Sequence, residues 1–87
     1  MSSVLPLSEL LHGQHAVVHR LVAPGGVVTE STVRRLGELG FIPGEPVQLL
    51  RRGPGGREPL AVRVGDTQFA LRLVEAQCVQ VRAVDAP

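Results

Sequence analysis

Apolar and polar residues alternate through the second half of the chain. In PLAVRV, Pro59 to Val64, Leu60, Val62 and Val64 are set against Ala61 and Arg63. A two-residue period places one set on one face, so this segment predicts a strand with a single buried side. PVQLLRR, Pro46 to Arg52, predicts another strand, and TQFAL, Thr67 to Leu71, puts Phe69 and Leu71 together. CVQVRAV, Cys78 to Val84, predicts a last strand with Val79, Val81 and Ala83 facing inward. GPGG at Gly53 to Gly56 and Gly65-Asp66 supply turns between them. RLVEAQ, Arg72 to Gln77, predicts a single helical or 3₁₀ turn.

The first half changes period. LSELL, Leu7 to Leu11, has Ser8 as a candidate cap and Gly13 just past its end, so it predicts one or two helical turns. QHAVVHRLV, Gln14 to Val22, is rich in β-branched residues and predicts a strand. APGG, Ala23 to Gly26, reads as a loop. Val33, Leu36 and Leu39 then recur at three-residue spacing, which lines them along one side of a helix from about Thr29 to Leu39. Thr29 or Ser31 can cap its start, and Gly40 can close its end in the left-handed conformation. Gly37 inside this helix costs about 1 kcal/mol against Ala and suggests a backbone close to a neighbour. After Gly40, Phe41 and Ile42 can plug the helix end, and Pro43-Gly44 is suited to a tight turn.

Five short strands, one helix after the first strand and a few helical turns predict a mainly β fold. At this length they suggest a small, strongly bent sheet that nearly closes into a five-stranded barrel, since closure removes exposed edges. The 87 residues make one domain, expected over residues 5–84, with 1–4 and 85–87 as loose termini.

Composition narrows the function. Nine arginines and no lysine against eight acids leave a net charge of +1, far from the basic excess of a dedicated nucleic-acid binder. Phe41 and Phe69 are the only aromatics, too few for base stacking or for a polyproline groove. No apolar run approaches the roughly 18 residues of a membrane span. The N-terminus lacks the basic region of a secretory signal, and the lone Cys78 rules out an internal disulfide. A cytoplasmic location is expected.

Three groups of residues are candidates for chemistry. His12, His15 and His19 fall within eight residues, and histidine is the commonest transition-metal ligand. On a straight strand His15 and His19 share a face but stand about 13 Å apart, too far for one ion. His12 and His15 can converge across Gly13, with Glu9 one helical turn before His12. The expectation is exposed histidines with at most weak Zn²⁺ or Fe²⁺ binding, bridging two chains. The helix surface with Arg34, Arg35 and Glu38, ending at Phe41, is the candidate partner surface, because guanidinium forks suit carboxylates. Cys78 lacks a nearby histidine, GPGG lacks the Lys-Ser/Thr of a phosphate loop, and no carboxylates pair for acid–base work. The chain reads as non-enzymatic.

The order of these pieces resembles the FeoA family of bacterial ferrous-iron uptake. LSELLHG, Leu7 to Gly13, is similar to its leading helix and glycine. RLGELGFIPGEPV, Arg35 to Val47, resembles its signature of RL, LG, an apolar pair, PG and a strand. RRGPGGREPLAVRVGDTQFALRLVEAQCVQV, Arg51 to Val81, resembles its C-terminal run. Gly53 stands where the family often has Ala, the turn carries an extra residue, and Glu58 replaces the usual Asp before Pro59. The resemblance implies an SH3-like barrel that needs no cofactor. It also implies a non-catalytic accessory protein acting on the cytosolic GTPase part of the FeoB membrane transporter. The Arg34, Arg35, Glu38 and Phe41 surface, read from the residues themselves, is the face expected to dock there. The alternative is a metal-responsive regulatory small barrel acting through another protein. An RNA-binding barrel is disfavoured by the charge and the missing aromatics.

Overall fold

The computed structural model describes residues 3–23 and 30–84. Six strands form one antiparallel sheet: β1 (Val4–Pro6), β2 (His15–Leu21), β3 (Pro46–Arg52), β4 (Leu60–Val64), β5 (Thr67–Leu71) and β6 (Val79–Ala83). Helix α1 (Glu30–Leu39) lies between β2 and β3, and the short α2 (Leu73–Ala76) between β5 and β6. Leu7–Glu9 and Pro54–Gly56 are 3₁₀ turns. The strand order is β1-β6-β2-β3-β4-β5.

This corrects the expected five-stranded barrel. There are six strands, the sheet is not closed among the described residues, and α1 follows the second strand rather than the first. The missed strand, β1, has three residues and includes Pro6, too short to show a period. Val4, expected in a loose terminus, pairs with Arg82 on β6. Pro6 precedes the first 3₁₀ turn and Ser8 lies inside it rather than capping it. Ser31 lies inside α1, and Thr29, the other candidate cap, is outside the described residues together with most of the Ala23–Gly26 loop.

The alternating residues build the core. Ala16 and Val18 of β2, Val47 and Leu49 of β3, Leu60, Val62 and Val64 of β4, and Val79 and Val81 of β6 are all buried, with Leu7, Leu10, Leu36 and Phe41. Register shifts between Val18 and Arg20 and between Leu49 and Arg51 bend β2 and β3, so that one face of an open sheet wraps this cluster.

The joint after α1 has defined hydrogen bonds. Gly40 N–H donates to the Gly37 carbonyl and Phe41 N–H to the Leu36 carbonyl, both at 3.1 Å. Gly40 holds φ +118°, and Leu36 and Phe41 are both buried beneath it, so the helix closes in a Schellman motif with its apolar contact. Glu45 N–H then donates to the Ile42 carbonyl, with Pro43 second in the turn and Gly44 third at φ +92°, the pattern of a type II turn. Gly44 N–H donates to the Val18 carbonyl, and Val18 N–H to that of Glu45, hooking the turn onto β2. Phe41 is the plug. Ile42, expected to share that role, is 47% exposed, and Leu39 points partly to solvent.

Phe41 is fully buried and its ring meets that of Phe69 at 5.9 Å between centroids. Phe41→Ala is therefore expected to cost about 3–5 kcal/mol. That is much of the roughly 4–13 kcal/mol available to a domain of this size, and urea unfolding measures it. Two glycines should respond with opposite signs. A Cβ on Gly53 would lie 2.5 Å from the Glu58 carbonyl oxygen, a backbone atom, so Gly53→Ala is expected to lose about 1–3 kcal/mol. A Cβ on Gly37 would meet only Leu21 Cδ1, at an ordinary 3.6 Å, so Gly37→Ala should gain up to about 1 kcal/mol. Thermal unfolding of the two variants checks both signs.

Candidate functional site

The histidines are spread by the fold. Glu9 is exposed in the first 3₁₀ turn and His12 in the turn before β2. That turn is held by Leu11 N–H donating to Gln14 Oε1 at 2.8 Å, and by Gly13 N–H donating to the Leu49 carbonyl at 2.7 Å. His15 opens β2 directly opposite Gln48. His19 falls at the β2 register shift, where its Nδ1 accepts from Arg82 Nε at 3.4 Å. A guanidinium beside that nitrogen opposes a cation there. Among the described residues no three His, Cys, Asp or Glu side chains come together to hold an ion.

The helix surface is also divided. Arg34 and Glu38 are exposed on α1. Arg35 instead forms an ion pair with Glu75 of α2, its side chain 61% exposed against 13% for the glutamate. Phe41 is in the core, so the partner surface proposed from sequence loses its aromatic end. The sequence offers Phe41 both as a plug beneath the helix and as the end of this surface, and the fold takes the first.

Glu75 carries a second task. Its Oε1 accepts the Arg72 N–H at 2.8 Å, and Glu58 Oε1 accepts the Leu73 N–H at 2.7 Å. Two carboxylates thus satisfy the start of α2, where exposed N–H groups favour negative charge. Glu58 also lines an open depression of about 470 Å³ with Pro54, Arg57 and Leu73. Cys78 is buried, with Sγ donating to the Val74 carbonyl at 3.3 Å. Burial pushes its thiol up, and the Glu75 charge adds to this, which lowers its reactivity.

Sequence reasoning missed one grouping. His15, Gln48 and Arg63 sit side by side on β2, β3 and β4, and Gln68 continues the row on β5. With Pro46, Val47 and Gly65, the first three line a depression of about 180 Å³. The alternation in PLAVRV signals that Arg63 faces away from the core. Its neighbours depend on register, which no local pattern encodes.

The FeoA domain profile matches residues 5–83. The crystal structure of Stenotrophomonas maltophilia FeoA complexed with zinc, described as a prokaryotic SH3 domain protein, is 45% identical. It covers 88% of each chain at a TM-score of 0.77. The FeoA protein of Chlorobium tepidum is 28% identical over 93% of this chain and 71% of that one, at 0.78. A manganese-dependent transcriptional repressor shares the fold alone, at 15% identity and 0.78, over 97% of this chain and 44% of that protein. No curated protein matches the sequence. On the profile match across nearly its whole length and the 45% identical relative, the chain belongs to the FeoA family, associated with ferrous-iron transport, and has its SH3-like fold.

Proposed function

We propose that this protein is a non-catalytic, cytoplasmic accessory factor of bacterial ferrous-iron uptake that docks on the cytosolic GTPase part of a FeoB-type transporter. Family membership over residues 5–83 carries the reading. The Stenotrophomonas relative is described as a candidate ferrous-iron transport activating factor, in keeping with it. No helix among the described residues is long and apolar enough to cross a membrane.

The exposed part of α1 is the docking face in this reading. Arg34 and Glu38 offer both charges, and the half-exposed Leu39 and Ile42 stand in for the buried Phe41 as apolar contacts. Arg35 contributes by holding α1 against α2. Pull-down of the transporter from solubilised membranes, with and without Fe²⁺ and GTP, tests the proposal. Arg34→Glu with Glu38→Arg is expected to cut the retained transporter about tenfold with the unfolding midpoint unchanged. Undiminished retention rules out this face. No retention by the wild type rules out the transporter as partner, and recovery of a DNA-binding protein instead favours the regulatory alternative.

A second reading, weak binding of Zn²⁺ or Fe²⁺ near the start of β2, is supported by the zinc in the Stenotrophomonas structure. His12, His15, His19 and Glu9 do not form a three-ligand group in one chain, so an ion held there would need ligands from a second chain. Calorimetric titration of Zn²⁺ into the wild type should show weak binding with a shift to dimer in sedimentation. The His12→Ala/His15→Ala/His19→Ala variant should show neither, and identical isotherms end the idea.

A further inference from the structure

Charge is sorted by element type. The charged residues within the strands, histidines aside, are all arginines: Arg20, Arg51, Arg52, Arg63 and Arg82. Every described acid lies in a helix, a turn or a loop. Arg52 is occupied, its guanidinium donating to the Ser8 and Leu10 carbonyls and to that of Gly56 at 3.5 Å. Arg51 and Arg63 are exposed and form no ion pair among the described residues.

Register places these two arginines on the outer face of the sheet. Arg51 is opposite Ala61, and Arg63 is two residues further along the same strand. Ala61 has Arg51 on one neighbouring strand and Ala70 on the other, which puts small side chains on β4 and β5 beside the arginines. Two residues of strand rise and one strand spacing separate them by about 8 Å. Next to Arg63 is the depression of about 180 Å³ whose polar lining, His15, Gln48 and Arg63, contains no carboxylate. Gln48 Nε2 donates to the Gly13 carbonyl at 3.0 Å, which holds its amide in place. Glu45, whose carboxylate reaches the side of Gly65, and Asp66 in the β4–β5 turn do not line it.

We propose that this face is a docking strip for an extended acidic segment of a partner protein, with one carboxylate seated against Arg63 in the depression and a second on Arg51. Alternate residues of an extended chain fall on one side about 7 Å apart, close to the arginine spacing. Guanidinium forks bind carboxylates in pairs of charge-assisted hydrogen bonds. The strip lies apart from the α1 face and does not depend on which protein supplies the segment.

The test is an NMR titration, in EDTA so that no metal on His15 contributes, with an acetylated decapeptide of alternating Glu and Thr. The expected result is binding in the millimolar range that shifts the Arg63 Nε–H and the Gln48 and Gln68 side-chain amides. A Gln/Thr decapeptide should not bind. Arg63→Gln and Arg51→Gln should each weaken binding about tenfold, with Arg34→Gln unchanged. The proposal is overturned if the Glu/Thr peptide does not bind, if its shifts cluster on α1, or if Arg34→Gln loses as much as Arg63→Gln. Tighter binding of oligouridylate, or of phosphatidylserine vesicles, would also overturn it.

Discussion

A six-stranded sheet can shelter its apolar face in a chain of this size only by bending around it. The shifts at Val18/Arg20 and Leu49/Arg51 supply the bend in the two central strands, β2 and β3. Leu36 and Phe41 fill the concavity together with the inward residues of five strands. With no second layer to complete the core, the plug beneath α1 matters as much as any strand. The Schellman closure at Gly40 and the turn at Pro43-Gly44 seat Phe41 and return the chain to β2 in register.

The same bend decides what the surface can offer. α1 is latched to α2 through Arg35 and Glu75, and α2 in turn is started by Glu75 and Glu58. These carboxylates are consumed in holding elements together, while Arg34 and Glu38 on the helix and Arg51 and Arg63 on the sheet are among the charged groups facing outward. An exposed pair such as Arg35–Glu75 contributes little energy by itself, at most about 1 kcal/mol. Its use is positional, since it ties α1 to α2, while the buried Leu36 marks the side of α1 that faces the core.

Arginines on the sheet are spaced with neutral neighbours. Arg63 lies between Gln48 and Gln68, Arg51 opposite Ala61, Arg20 opposite Gln80, and Arg82 between Val4 and Val17. Like charges directly opposite one another on adjacent strands destabilise a sheet, and this arrangement avoids every such pairing. A near-neutral chain thereby carries one cationic face, something its net charge of +1 conceals. For a small protein whose family is tied to iron transport, separate helical and sheet faces leave room for more than one contact.

Local pattern was enough to read β3 and β5 to the residue, the inward sets of β4 and β6, the helix ending at Leu39, and the Gly40 and Pro43-Gly44 turns, because each depends on neighbours a few residues away. The family was legible for the same reason, its motifs being runs of adjacent residues. Tertiary structure alone decided the rest. β1 exists because β6 offers it an edge far along the chain, and the sheet stays open because β1 and β5 end as its borders. Of the two places the sequence left open for Phe41, plug or surface, the fold took the plug; Arg35 was claimed by Glu75, and His19 was turned toward Arg82. Pairing across strands sets those outcomes, and a period of two specifies which face a residue takes but not which residue stands beside it.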